Sequence, residues 1–346
     1  MKYNPLGKTG LNVSRLSFGA SSLGGVFHAV QKADAIRAVR VALDCGINYF
    51  DVAPAYGGTR SEAVLGEALK GIPRNEYFLS TKVGKYTRSG NYGDDTLDYS
   101  AARIRASLDE SSRRLRADYF DIIHLHDFEY QNRRYTEWAL DEGLATLHTL
   151  KREGRIGAVS CGIYPMDLWQ RIFRDYEIDV ALTHNHYCLN DTRLLELLPL
   201  AREKNIGIIN GSPFASSLLT DRGPAEWHPA SPEDQMLFKA TANFCRAQGT
   251  CISKLALQFA SRHPDIPTTL FSSANPVSVK RNVQWSDEQI DDSLLAKVME
   301  LLSPVFNKQW SYSGDNVHQS TTAHKSIPKH CDHKSLERIS ISGNHV

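Results

Sequence analysis

From Arg15 to Trp285 the chain alternates short apolar runs with amphipathic ones eight times, and few folds accept that order. The apolar runs predict strands over Arg15–Phe18, Tyr49–Asp51, Phe78–Lys82, Asp121–Leu125, Ile156–Cys161, Val180–Thr183, Gly207–Asn210 and Thr268–Phe271. The helical period predicts helices over Ala33–Leu43, Ala63–Leu69, Ala101–Leu115, Glu137–Glu153, Asp167–Phe173 and Arg193–Lys204. Further helices are predicted over Glu233–Gln248, Ile252–Arg262 and Val277–Trp285, the first of them after a Ser/Pro-rich loop. Strands that alternate with helices favour a parallel sheet, because parallel neighbours need a crossover between them. Eight repeats favour a closed (β/α)8 TIM barrel, an α/β fold, over an open doubly wound sheet. No G-x-G-x-x-G follows the first strand, which weakens the open-sheet alternative further.

Ahead of the repeats, Tyr3–Val13 with Gly7 and Thr9-Gly10 predicts a small N-terminal β-hairpin. Residues 1–319 are thus expected to form one barrel domain. Residues 320–346 are polar, rich in His, Lys and Ser, and lack an apolar period, so a disordered tail is expected there. His324, His330, Cys331 and His333 lie in that tail at spacings too irregular for a metal site.

Composition removes several classes of function. The 346 residues are 41% hydrophobic with a formal net charge of +1, so neither nucleic acid nor an anionic membrane is an expected partner. The six cysteines show no CxxC or zinc spacing and read as reduced thiols of a cytoplasmic protein. No apolar run reaches membrane length and no export signal opens the chain.

In a barrel, function gathers where the strands end. Asp51 closes the second predicted strand, and Tyr56 follows in a Pro/Gly-rich loop. Thr59 then precedes Glu62 at capping-box spacing. Lys82 closes the third strand and shares a face with Phe78 and Ser80. The fourth strand turns His124 and His126 inward, with His126 nearer the mouth and His124 read as a hydrogen-bonded core residue. Together these residue types suit acid–base work. A lysine ammonium favours a phenolate beside it, a carboxylate keeps that lysine charged, and a neutral imidazole orients a carbonyl or hydroxyl. On this reading Lys82 lowers the pKa of Tyr56.

The stretches Gly46-Ile47-Asn48-Tyr49-Phe50-Asp51, Tyr56-Gly57, Ser61-Glu62, Gly66-Glu67-Ala68-Leu69, Ser80-Thr81-Lys82-Val83-Gly84 and Tyr119–His126 resemble the aldo-keto reductase family. The resemblance spans about residues 4–307. It implies a (β/α)8 barrel that moves a hydride to or from a nicotinamide at its mouth. Tyr56 would be the general acid/base, Lys82 its modulator, Asp51 the partner of Lys82, and His126 the residue that orients substrate. Phe18–Gly24, His186–Asp191 and Gly223–Pro232 are similar to the family's aldose 1-dehydrogenase branch. That similarity implies oxidation of a sugar such as L-galactose or L-fucose at C1 to the lactone, with Trp227 and His228 closing over the sugar or anchoring their loop.

By the same resemblance the cofactor would meet Gly19, Ala20, Asp51, Gly162, His184, Ser212, Phe214, Ser216, Ser273, Ser278, Arg281 and Asn282. Three positions depart from the wider family. Gly162-Ile163 replaces the Ser-Asn pair that holds the carboxamide, His184 replaces a Gln, and Gly211 replaces the aromatic that stacks on nicotinamide. At the adenosine end, Ser272 and Ser278 stand where members that prefer NADP often carry cations, which favours NAD, while nearby Lys280 and Arg281 keep NADP open. The start of the last helix would offer backbone N–H groups to a phosphate.

Three rival readings remain on the sequence. One is an NADPH-dependent reductase of aldehydes or ketones. Another is a metal-dependent hydrolase using His124-x-His126 and His184-x-His186, although such hydrolases open with a histidine pair on strand one. The third is a nicotinamide-binding sensor without catalysis. No metal is expected, the partner is a small sugar or carbonyl compound, and monomer and homodimer are both compatible with the sequence.

Overall fold

A computed structural model describes residues 1–87, 95–226 and 228–310. Eight parallel strands close into a barrel in chain order: β1 Leu16–Gly19, β2 Tyr49–Asp51, β3 Phe78–Val83, β4 Phe120–His126, β5 Ile156–Ile163, β6 Val180–His184, β7 Gly207–Gly211 and β8 Thr268–Ser272. The helices around them are α1 Lys32–Asp44, α2 Arg60–Ala68, α3 Ala101–Leu115, α4 Leu144–Arg152, α5 Met166–Asp175, α6 Leu198–Glu203, α7 Pro232–Ala247, α8 Ile252–Ala260, α9 Pro276–Asp287 and α10 Asp292–Leu301. Every predicted strand is present, and Ala101–Leu115 matches its predicted helix end to end. The expected boundary near residue 319 and the expected tail lie outside the described residues.

Two apolar layers account for the architecture. Outward-facing strand residues such as Phe18, Phe50, Leu79, Ile123 and Val159 pack under the helices with Val39, Leu65, Leu108 and Leu147. The barrel's inside is filled by Tyr49, Ile122, Ala158, Val180, Leu182 and Ile209. Leu6 and Val13 join that inner cluster, so the N-terminal hairpin (Tyr3–Pro5 with Asn12–Ser14) plugs the end of the barrel opposite the mouth. Burying such side chains contributes roughly 1.5–3 kcal/mol each.

The structure departs from expectation at several elements. Thr59 does precede α2, but its backbone is left-handed (φ 72°) and its side chain makes no cap bond. Glu62, fully buried, accepts instead from Thr81 Oγ1 (2.7 Å) and Arg114 Nε (2.6 Å), joining α2 to β3 and α3. The predicted helix Glu137–Glu153 is broken into Thr136–Trp138, a π-turn at Ala139–Gly143, and α4. Arg193–Lys204 likewise splits into a 3-10 turn, Arg193–Glu196, and α6. Unexpected additions are α10 and a short antiparallel pair, Lys85–Thr87 with Asp95–Leu97.

Candidate active site

Register assembles the site. Asp51 stands opposite Ser80, two residues before Lys82, and Lys82 stands opposite His124, which stands opposite Ser160. Period-2 alternation therefore turns Ser80, Lys82, His124 and Ser160 into one polar layer above the apolar filling. Lys82 Nζ pairs with Asp51 Oδ2 and donates to the carbonyl of Val52 (3.0 Å). Both side chains are almost fully buried, at 1% and 2% exposure. Asp51 Oδ1 accepts from Ser80 Oγ (2.7 Å), and Ser80 in turn accepts from Tyr49 Oη (2.8 Å). His124 Nε2 lies 3.2 Å from Asp51 Oδ1, and its Nδ1 lies 2.7 Å from Ser160 Oγ.

A buried charge is costly unless paired and hydrogen-bonded, and here every Asp51 oxygen has a partner. Burial works to raise the Asp51 carboxyl, but Lys82 and His124 overcome it and hold the group well below the usual carboxylate range. Burial lowers Lys82, with Asp51 acting against it. His124 keeps its core role, yet its contact with Asp51 makes it part of the support beneath the ion pair.

Above this layer stand Tyr56 and His126. Lys82 Nζ lies 5.3 Å from the centroid of the Tyr56 ring, and the rings of Tyr56 and His126 meet edge-on at 6.0 Å. Tyr56 is placed by a close backbone approach. Gly57 (φ 60°) has no room for a side chain, because a Cβ there would fall 2.4 Å from the carbonyl oxygen of Gly24. Gly24 in turn abuts the carbonyl of Tyr56, which a Cβ would approach to 2.9 Å.

The electrostatics correct one expectation. The Tyr56 phenol is not lowered on balance; burial, then the carboxylates of Asp51 and Asp127, raise it well above its ordinary value, with Lys85 opposing them. Tyr56 is only half-buried, so solvent at the mouth moderates that rise. Tyr56 thus keeps its proton at neutral pH. Burial also lowers His126 to about 3, so its imidazole is neutral, and its buried Nδ1 has no partner.

Sequence reasoning missed a second ionic group at the same rim. Lys85 Nζ pairs with Asp127 Oδ2 (2.7 Å), and that oxygen lies 3.6 Å from His126 Nε2. The available signal was a charged residue within two positions of each of two strand ends, Lys85 after Val83-Gly84 and Asp127 after His126. Glu129, also buried, accepts from the backbone N–H of Tyr164 (2.8 Å) and is raised to about 8 by burial and by Asp127.

The proposed cofactor contacts fall into two groups. Gly19 ends β1 opposite Asp51 with Ala20 just after it, Gly162 stands opposite His126, and His184 stands opposite Gly211. His184 lies against the ring of Tyr164 (5.4 Å), which also stacks on His186 (4.8 Å). Ser212 (φ 61°) and Ser216 (φ 52°) follow β7 in left-handed conformations, with half-buried Phe214 between them and Ser216 bonded to Asn185 (3.1 Å). The second group surrounds the start of α9. There the Asn275 side chain already accepts from the N–H groups of Val277 and Ser278, so those two donors are not open to a phosphate as expected. Ser273 bonds the backbone of Asn275, Arg281 lies over Trp285 (4.7 Å), and Asn282 is buried at 5% exposure. Trp227 falls outside the described residues. His228 is buried with its Nδ1 accepting from the N–H of Ala230 and its ring against Trp310, so it anchors its loop rather than facing a sugar.

The residues present fit a nicotinamide. Gly19, Gly162 and Gly211 leave strand ends bare beside the polar layer, and a Cβ on Gly211 would come within 2.9 Å of the Thr183 carbonyl. Among the described residues, no three His, Cys, Asp or Glu side chains converge as metal ligands.

The profile of the Aldo/keto reductase family matches residues 15–303. This chain belongs to that family. It is an oxidoreductase of the nicotinamide-dependent kind. It is 40% identical to L-galactose dehydrogenase from Arabidopsis thaliana over 91% of this chain and 98% of that one. It is 28% identical to D-threo-aldose 1-dehydrogenase from a Pseudomonas species, covering 84% and 94% of the two chains. Among solved structures, the holo form of an aldo-keto reductase from Bacillus halodurans is similar, with a TM-score of 0.71 and 27% identity over 87% of this chain and 96% of that one. No helix among the described residues is long and apolar enough to cross a membrane.

Proposed function

We propose that this protein oxidises the anomeric carbon of an aldose, of the L-galactose or L-fucose kind, to the lactone, with NAD preferred to NADP. The observation that carries the reading is 40% identity with an L-galactose dehydrogenase across nearly the whole of both chains, joined to a complete proton-handling set at the mouth. Bound nicotinamide supplies the acceptor for the hydride that leaves C1. The chain's own residues handle the proton and the pose. Tyr56, in its phenolate form, takes the proton of the anomeric hydroxyl, and neutral His126 holds the oxygen from which it comes. Asp51, kept ionised, fixes Lys82 beneath the phenol, so positive charge stands near the phenolate as it forms.

The preference for NAD rests on side-chain chemistry. Ser272 bonds Ser22 (2.7 Å), and Ser278 meets Arg281 only at 3.5 Å. Neither serine supplies a cation for a 2′-phosphate, whose burial without one is poorly compensated.

A second direction also has support. A phenol that keeps its proton at neutral pH suits carbonyl reduction, in which Tyr56 donates to the forming alkoxide. Initial rates for a panel of aldoses with NAD and with NADP, set beside aldehydes with NADH and NADPH, decide between them. The expected outcome is aldose turnover with NAD at the highest kcat/KM. Aldehyde reduction with NADPH outrunning every aldose would overturn the reading.

A further inference from the structure

Neither Lys85 nor Asp127 gives or takes a proton in the reaction just described, yet the pair occupies the rim of the same site. Both side chains are under one-tenth exposed. Lys85 also lies 4.0 Å from the centre of the Tyr130 ring. Asp127 follows β4 with its backbone left-handed (φ 49°), a conformation that costs a non-glycine residue energy and that persists only where its surroundings enforce it. A buried pair of this kind gives little net stability, because desolvation of both ions offsets their attraction. Nor is it needed to join β3 to β4, whose ladder already runs from Ser80 opposite Ile122 to Val83 opposite Leu125. Beside the pair, His126 is 6% exposed and its Nδ1 has no partner. A buried polar atom left this way is costly unless a ligand or water meets it. The rim thus offers an ammonium donor and a carboxylate acceptor 2.7 Å apart and, 3.6 Å from that carboxylate, the Nε2 of a neutral imidazole. A ligand bearing several hydroxyls can meet all three. A simple aldehyde with an apolar chain can meet at most one.

We propose that Lys85 and Asp127 are substrate-specificity residues that grip the hydroxyl groups next to the reacting carbon of a sugar, Lys85 by donating to them and Asp127 by accepting from them. This rests on the aldose reading above and deepens it. The pair's charges also bear on the Tyr56 phenol, but its grip on the polyol is a separate effect and is read in the ratio between substrates.

Steady-state kinetics of the full chain with L-galactose plus NAD and with methylglyoxal plus NADH test it, for wild type, Lys85→Met and Asp127→Asn. Asparagine tolerates a left-handed backbone, so the second variant removes the ion pair with the turn kept. The expected result is a rise in KM for the sugar in both variants, with its kcat/KM relative to that for methylglyoxal falling at least tenfold. Equal losses on both substrates overturn the proposal, as does a loss confined to kcat, which would place Lys85 in the proton transfer. Should Lys85→Met fail to fold, the ratio in Asp127→Asn decides alone. Wild-type enzyme that turns over methylglyoxal but no aldose overturns the aldose reading and this proposal with it, whereas an intact aldose activity with an unchanged ratio overturns this proposal only.

Discussion

At the scale of single residues, the site separates groups that hold charge from groups that move protons. Tyr56→Phe removes one oxygen from a half-buried ring and should lower turnover roughly 10²-fold or more with cofactor affinity and melting temperature nearly unchanged. Asp51→Asn is different in kind. It strips Lys82 of its counter-charge in a place with 1% exposure, and breaking such a pair typically costs about 3–5 kcal/mol. Chemical denaturation should therefore show a large loss for Asp51→Asn and almost none for Tyr56→Phe, while both are slow enzymes. Similar stability losses in the two would mean that the pair is not sustaining the fold. The raised phenol adds a pH signature. Oxidation needs the phenolate, so kcat for sugar oxidation should climb as pH rises through the neutral and alkaline range. A profile flat from pH 6 to 10 would show that Tyr56 is not the group that titrates.

At the scale of elements, the sequence made the barrel legible because hydrophobic period switches with each strand and helix, and the register sets Asp51 opposite Ser80 and Lys82 opposite His124, two residues before His126. It failed where a local pattern met a tertiary demand. Thr59 and Glu62 have capping-box spacing, but a buried hydroxyl on Thr81 and the guanidinium of Arg114 compete for the carboxylate and win it. Tyr49 and Ser160, the partners of Ser80 and His124 in the polar layer, were hidden for the same reason. Nothing along one strand reveals which polar residues on its neighbours will face it. Closure of the Tyr56 loop on Gly24 is likewise a matter of approach in space, and it gives a prediction for the element. Gly24→Ala puts a methyl 2.4 Å from Ser61 Oγ and 2.9 Å from the Tyr56 carbonyl, so the loop must shift. An ångström of misplacement at the reacting oxygen can cost about 10²-fold. Gly24→Ala should lower kcat by an order of magnitude or more, and a structure of the variant should show Tyr56 displaced from His126. Wild-type kcat in a folded Gly24→Ala would sever the link between this packing and the phenol's placement.

At the scale of the whole molecule, the buried titratable groups of the mouth set how stability varies with pH, and they pull in opposite directions. His126 and His184, lowered by burial to about 3 and about 4, stay neutral in the fold but bind protons near 6.5 once unfolded. Their contribution is complete above about 6.5 and is lost as pH falls below it. Glu129 has the opposite sign. Raised to about 8 by burial and by Asp127, with Lys85 opposing, it is protonated in the fold and ionised in the unfolded chain between about 4.5 and 8. Its contribution is complete below that window and is lost as pH rises through it. Each group changes stability by up to about 1.4 kcal/mol per pH unit where it titrates. Below 6.5 these two histidines, with His124 and His228 lowered by burial in the same sense, outweigh one glutamate, and between 6.5 and 8 the glutamate dominates, so stability from urea titrations should peak near pH 6.5 and fall on both sides. Glu129→Gln keeps an oxygen for the N–H of Tyr164 and removes the ionisation. It should flatten the decline between pH 6.5 and 8 and leave the acid side as it was. An alkaline decline that survives in Glu129→Gln would assign it to another group and leave Glu129 ionised in the fold.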